Sequence, residues 1–121
     1  NLTACHIQAG RCEDALAAAR EGLALAESLR HAYLIAGLSS NAGEACCRLG
    51  RLEEAERYAM IALQQEEAAM QPYAAMVLGM VERARGRPEQ AASAFRSALQ
   101  AAQDSQDAFA EAAARQHLSS V

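Results

Sequence analysis

The residues in this chain best able to bind a metal or act as nucleophiles are three histidines, His6, His31 and His117, and four cysteines, Cys5, Cys12, Cys46 and Cys47. A metal centre needs several of them to converge. Cys5, His6 and Cys12 are close in sequence but lack the CxxC pair of a structural zinc site. The Glu-x-x-His spacing of carboxylate metal bundles does not occur, and Glu111 and His117 point to different sides of one helix. The three histidines fall on separate helices with no fixed relation. The acidic pairs Glu53-Glu54 and Glu66-Glu67 could mimic a carboxylate site, but Arg57 stands four residues after Glu53, the spacing of a solvated surface pair. No glycine-rich phosphate loop or nucleophile elbow is present, and the chain has no lysine to meet a phosphate. These residues imply no catalytic, metal or cofactor site, and a chain that is not an enzyme.

The cysteines read as reduced thiols. They lie in apolar helical pattern rather than in loops, and neighbours Cys46 and Cys47 point about 100° apart on a helix. A cytoplasmic location follows as an expectation. The "NLT" beginning at Asn1 matches a glycosylation acceptor only as a chance tripeptide.

The chain has 121 residues and a formal charge of −4, and every basic residue is an arginine. Mixed, mildly acidic charge gives no footprint for nucleic acid. No apolar run approaches the roughly 20 residues that span a bilayer. Hydrophobic types reach 52%, mostly alanine, while aromatics are only 4%, which suits close-packed helices rather than sheets. The expectation is an all-α chain forming a single domain over 1–121. It opens as if already inside a helix, and it is expected to be a piece of a longer multidomain protein.

The elements that position these residues repeat. "GRCEDA" begins at Gly10, "GRLEEA" at Gly50 and "GRPEQA" at Gly86, intervals of 40 and 36 residues. Around each glycine the residues agree in kind: Arg11, Arg51 and Arg87; Glu13, Glu53 and Glu89; Ala15, Ala55 and Ala91; Leu23, Leu63 and Leu99. Such periods mark arrays of helical hairpins. Glycine ends the incoming helix in a left-handed conformation, and the glutamate meets the positive end of the outgoing one. Pro88 fits a first turn. The alanine allows close approach, and the leucine fills the space between hairpins. The pattern predicts a helix ending near Ala9 with a partner from Cys12 to about Leu29, then His31–Leu49 with Leu52–Ala69. Pro72–Arg85 follows with Pro88 to about Gln103, and last comes Asp107 to about Leu118.

These residues resemble the tetratricopeptide repeat. The third hairpin carries Leu78-Gly79, Gly86, Ala91, Phe95 and Ala98-Leu99. The second carries Gly43, Gly50, Ala55 and Ala62-Leu63, with Ala59 where the family has an aromatic. The first keeps Leu2, Gly10, Ala15 and Leu23, with Thr3 and Gly22 at small-residue positions. The family's early bulky aromatic is missing, with Ala75 in its place in the third hairpin, and the intervals exceed the usual 34 residues. The resemblance implies an α-α superhelix of about three stacked antiparallel hairpins plus a last helix. The longer units are also similar to the arms of ATP-binding LuxR-type bacterial transcription regulators, a setting the GC-rich-type composition suits.

The resemblance implies a concave groove lined by the first helix of each hairpin. Ser40, Glu44 and Cys47 face it from the second hairpin, with Arg48 at its edge. Tyr73, Met76, Met80 and Arg83 face it from the third, and Ala4 and Ile7 from the first. Methionine and tyrosine beside arginine suit a protein or peptide partner. The expected function is a non-catalytic interaction scaffold of a bacterial regulator. A small-molecule inducer-sensing arm and a chaperone or assembly adaptor are the alternatives. No nucleic-acid or membrane partner is expected. The last helix, with Phe109, Ala112, Ala113 and Leu118, predicts self-association through the terminal helices.

Overall fold

A computed structural model describes residues 2–121, with side chains from Gly10 onward. Six helices follow one another: α1 (Leu2–Ser28), α2 (Ala32–Arg48), α3 (Leu52–Gln64), α4 (Gln71–Ala84), α5 (Pro88–Asp104) and α6 (Ala108–Ser119). No strand occurs among the described residues. α2 pairs with α3 and α4 with α5, each pair packs on the next, and α2, α4 and α6 lie side by side along one face. This is the stacked hairpin architecture that the repeat predicts.

The stops between helices share one geometry. At Gly50 the backbone turns left-handed (φ 80°), with the Gly50 amide on Cys47 O (3.0 Å) and the Arg51 amide on Cys46 O (2.8 Å). Gly86 (φ 76°) repeats it, with Gly86 N on Arg83 O (3.1 Å) and Arg87 N on Glu82 O (2.9 Å). These paired bonds satisfy the last carbonyls of α2 and α4, and glycine adopts the required φ without steric cost. The connections between hairpins use the same turn without glycine. Arg30 (φ 53°) stops α1, Glu66 (φ 56°) follows α3 and Gln106 (φ 57°) stops α5. His31 N reaches Ala26 O (3.0 Å), and Asp107 N reaches Ala102 O (2.9 Å). An L-residue held there costs about 1–2 kcal/mol. Arg30→Gly and Gln106→Gly are therefore each expected to raise stability by about 0.5–1 kcal/mol, after the added freedom of the unfolded chain is counted. A urea midpoint that falls in both variants would mean that those side chains hold the corners.

Helix starts follow residue chemistry. His31 caps α2 by accepting the Leu34 amide (3.3 Å), and Asp107 caps α6 by accepting the Ala110 amide (3.0 Å). α3 opens with Glu53 and Glu54, and α5 with Pro88 and Glu89. α3 ends at Gln64, short of the expected Ala69. Glu66 turns left-handed there, and Pro72 at the start of α4 has no amide to extend a helix through Gln71.

The first hairpin differs from expectation. α1 runs unbroken through Gly10, which keeps helical backbone. Continuing α1 adds a hydrogen bond per residue, and one interior glycine costs only about 1 kcal/mol. Ala15 is consequently exposed, whereas its counterparts Ala55 and Ala91 are fully buried. The side chains of Leu2, Thr3, Ala4, Cys5, His6 and Ile7 lie outside the described residues.

Two cores meet at α4. Cys12, Leu16 and Ala19 of α1 pack with Ala42, Ala45 and Cys46 of α2, Ala55 and Ala59 of α3, and Val77 and Val81 of α4. Ala75 and Met76 of α4 pack with Ala91, Phe95, Ala98 and Ala102 of α5, and with Ala110 and Ala114 of α6. Alanine at these crossings lets the backbones approach. Phe95, fully buried, is the largest side chain in the interior and lies under Gly79.

α6 bears on the expected self-association. One repeat apart, Ser39, Ala75 and Glu111 occupy one position, and Gly43, Gly79 and Arg115 another. α2 and α4 bury theirs against α3 and α5, while α6 places an ion pair there, with Arg115 Nη2 2.8 Å from Glu111 Oε2. A helix packed on that face would have to desolvate both charges. Phe109 is exposed, but Ala113 and Leu118 pack on the second core.

Candidate functional site

Two open cavities lie side by side along α2. The first, about 580 Å³, sits between α1 and α2 and is lined by Arg11, Ala15, Ala18, Ala19, Glu44 and Arg48 among others. The second, about 530 Å³, sits between α2 and α4 and is lined by Tyr33, Leu34, Met70, Tyr73 and Asp107 among others. Leu38 and Asn41 border both, which makes one continuous groove. Its floor is apolar, with arginines toward the helix turns and tyrosines toward the opposite end.

The expected groove residues divide. Glu44 and Arg48 line the first cavity and pair with each other at 3.1 Å. Tyr73 lines the second and donates its phenol hydrogen to Asp107 Oδ2 at 2.6 Å. Burial, then this hydrogen bond and the Asp107 charge, push the Tyr73 phenol up to about 12. The same bond, with the Ala110 amide, holds Asp107 below the usual carboxylate range. Ser40 touches the second cavity but is otherwise buried, its hydroxyl donating to Ala36 O at 2.9 Å. Met76, 7% exposed, is core, and Met80 is half-buried against that core, so neither belongs to the groove lining. Cys47 is half-buried and free, and burial raises its thiol pKa against the opposing pull of Arg83 and Arg48.

Arg83 joins α4 to α6 instead of edging the groove. It donates to His117 Nδ1 (3.2 Å) and Ser120 Oγ (2.9 Å), and its guanidinium lies 5.3 Å from the Phe95 ring centre. His117 stacks on the other partner of that contact, 4.7 Å from Phe95 and 5° from parallel. Burial first, then Arg83, lowers the His117 pKa; Arg48 acts the same way from α2, and Glu44 opposes both. With the folded value depressed, the unfolded chain takes up the proton first. Stability is therefore full above the ordinary histidine value of 6.5 and is lost as pH falls through the folded value. His117→Phe keeps a ring on Phe95 but cannot titrate. The acid-induced fall in Tm between pH 7 and 5 is expected to be smaller in that variant (roughly the histidine titration range). Equal falls in the two proteins would remove His117 from the titration.

Sequence reasoning missed Asn41, Leu38, Leu34, Tyr33 and Arg11. The family offsets follow Ser40 and Cys47, which turn toward α4. The open stripe runs one residue over, through Leu34, Leu38, Asn41, Glu44 and Arg48, at helical spacing. Among the described residues no group of three or more His, Cys, Asp or Glu could hold a metal ion. Cys5 and His6, two members of the candidate metal set, lie outside the described side chains. No helix among those residues is long and apolar enough to cross a membrane.

Paired antiparallel helices, left-handed glycine turns and an open groove along the first helices define a tetratricopeptide-like helical-repeat scaffold. A family model described as "T7SS, ESX-1 secretion system protein EccA1, N-terminal domain" matches residues 2–118, and the chain belongs to that family. No curated protein and no solved structure matches the chain. The family is one of secretion-system proteins by its description, so the narrower expectation of a LuxR-type transcription regulator has no support.

Proposed function

We propose that this chain is a non-catalytic protein-interaction domain of a larger, cytoplasmic secretion-system protein, and that it binds partners along the α1–α2–α4 groove. The observation that carries this reading is the continuity of the two cavities across Leu38 and Asn41, an apolar floor with charge confined to its edges. The family description supports the secretion setting. Four of the polar residues around the groove are paired with one another: Glu44 with Arg48, and Tyr73 with Asp107. This favours recognition over bond-breaking chemistry.

A photo-crosslinking amino acid placed at Asn41 in the parent protein, inside cells, tests the reading. It is expected to capture other proteins, while the same group at exposed Met60 on α3 captures far less. Equal capture at both sites would overturn the assignment of the groove.

A further inference from the structure

The second cavity is carved by small residues of the chain itself. One repeat apart, Gly37 and Ser40 of α2 correspond to Tyr73 and Met76 of α4. Between α4 and α6 those larger side chains fill the space. Met76 lies in the second core with Ala110 and Ala114, and Tyr73 packs on that core and reaches Asp107. Between α2 and α4 the glycine and the serine leave about 530 Å³ open. A Cβ added at Gly37 would meet only Met70 Sδ, at 3.4 Å, an ordinary contact. The glycine therefore makes room there instead of relieving a clash.

Among the described residues that line this cavity, Asp107 alone is charged. Its Oδ2 accepts the Tyr73 phenol at 2.6 Å and its Oδ1 the Ala110 amide at 3.0 Å. Those bonds hold its pKa below the usual carboxylate range, so it is an anion at neutral pH. None of the ion pairs among the described residues includes it. Each carboxylate oxygen has a further lone pair to offer.

We propose that this cavity takes one arginine side chain of a partner protein, carried on a segment whose neighbouring residues are apolar. The proposal rests on the interaction-domain reading and names the chemistry of the partner. Charge sets the sign, since a single anion in otherwise neutral walls is complemented by a cation. Hydration favours arginine over lysine. A guanidinium is more weakly hydrated than an ammonium, so it enters an apolar cavity at lower cost. Its planar fork can also donate to Asp107 and to a tyrosine oxygen together. Tyr33, Tyr73 and Met70 supply aromatic and thioether surface beside the carboxylate. Leu34 and Leu38 on α2, with Ala69 before α4, receive the apolar neighbours.

The test uses the full chain and two small probes, butylguanidinium and its neutral analogue butylurea, followed by NMR shifts of the Gly37, Asn41 and Ala110 amides. Weak binding is expected, on the order of millimolar. Butylguanidinium should bind tighter than butylurea by at least roughly threefold, the scale of a partly exposed ion pair. Asparagine caps a helix as well as aspartate and still accepts the phenol. Asp107→Asn should therefore keep the fold by circular dichroism and lose the preference. Asp104→Asn, which removes a carboxylate outside the cavity, should keep it. Gly37→Leu favours helix α2 and fills the cavity, so it should abolish the shifts from both probes. In cells, a photo-reactive group at Leu34 of the parent protein is expected to join a partner segment beside an arginine, and replacing that arginine with glutamine should lose the cross-link. No binding, equal affinity for the two probes, or a preference that survives Asp107→Asn would overturn the proposal. So would a cross-link from Leu34 back into the parent protein, because it would assign the cavity to the protein itself. Capture of other proteins at Asn41 with no guanidinium preference would leave the interaction domain standing and remove only the arginine pocket.

Discussion

Phe95→Ala is expected to lower the unfolding free energy by about 3–5 kcal/mol, the range for removing a buried aromatic side chain. Few side chains here are large, so the loss cannot be spread over equivalent neighbours. Phe95 is fully buried between α4, α5 and α6, and its surroundings are mostly alanines too short to move into the space. The ring also carries His117 on one contact and Arg83 on another, which tie α6 to α4. Urea unfolding should show the midpoint shift. Hydrogen exchange should show α6 losing protection first, because its attachment depends most on this ring. A loss below about 1 kcal/mol would mean that the second core does not depend on Phe95.

The second large effect is its complement. A Cβ at Gly79 would lie 2.5 Å from Phe95 Cε1, 2.6 Å from Cδ1 and 2.8 Å from Cζ. Those are rigid ring atoms held on both sides, so the ring cannot yield as a flexible side chain would. Helix propensity alone favours replacing the glycine by about 1 kcal/mol for alanine. Overpacking costs about 1–3 kcal/mol and wins for anything larger. Gly79→Val is expected to destabilise by about 2–3 kcal/mol. Combined with Phe95→Ala, the valine enters the space the ring has left. The double variant should then be more stable than the two single losses predict, by about 1–3 kcal/mol. Strict additivity in a double-mutant cycle would sink this account of the contact.

Much of the architecture was legible because it rests on residues with few substitutes. Gly50 and Gly86 announce their turns, since the left-handed conformation favours glycine and the following Glu and Pro fit a helix start. Gly79 and Phe95 were both visible as positions of the repeat. The stops at Arg30, Glu66 and Gln106 were not, because nothing in an arginine, glutamate or glutamine marks a left-handed turn. Gly10 misled for the converse reason. Its motif matches the other two, but one interior glycine costs a helix only about 1 kcal/mol, so the motif alone does not decide between a turn and a continued helix. The groove was half legible. Of the expected groove residues, Ser40, Glu44, Arg48 and Tyr73 line the two cavities, Met76 and Met80 turn toward the second core, and Leu38 and Asn41, which the repeat offsets pass over, border both cavities. The relative rotation of packed helices decides this, and spacing along one helix does not record it.

The ion pair between Glu111 and Arg115 has a consequence for assembly. A stack of repeats whose two ends fit each other makes a heterologous contact, and such contacts propagate into open filaments. On α6 two charges stand where α2 and α4 carry small buried residues, so a head-to-tail neighbour seated on that face would have to desolvate both.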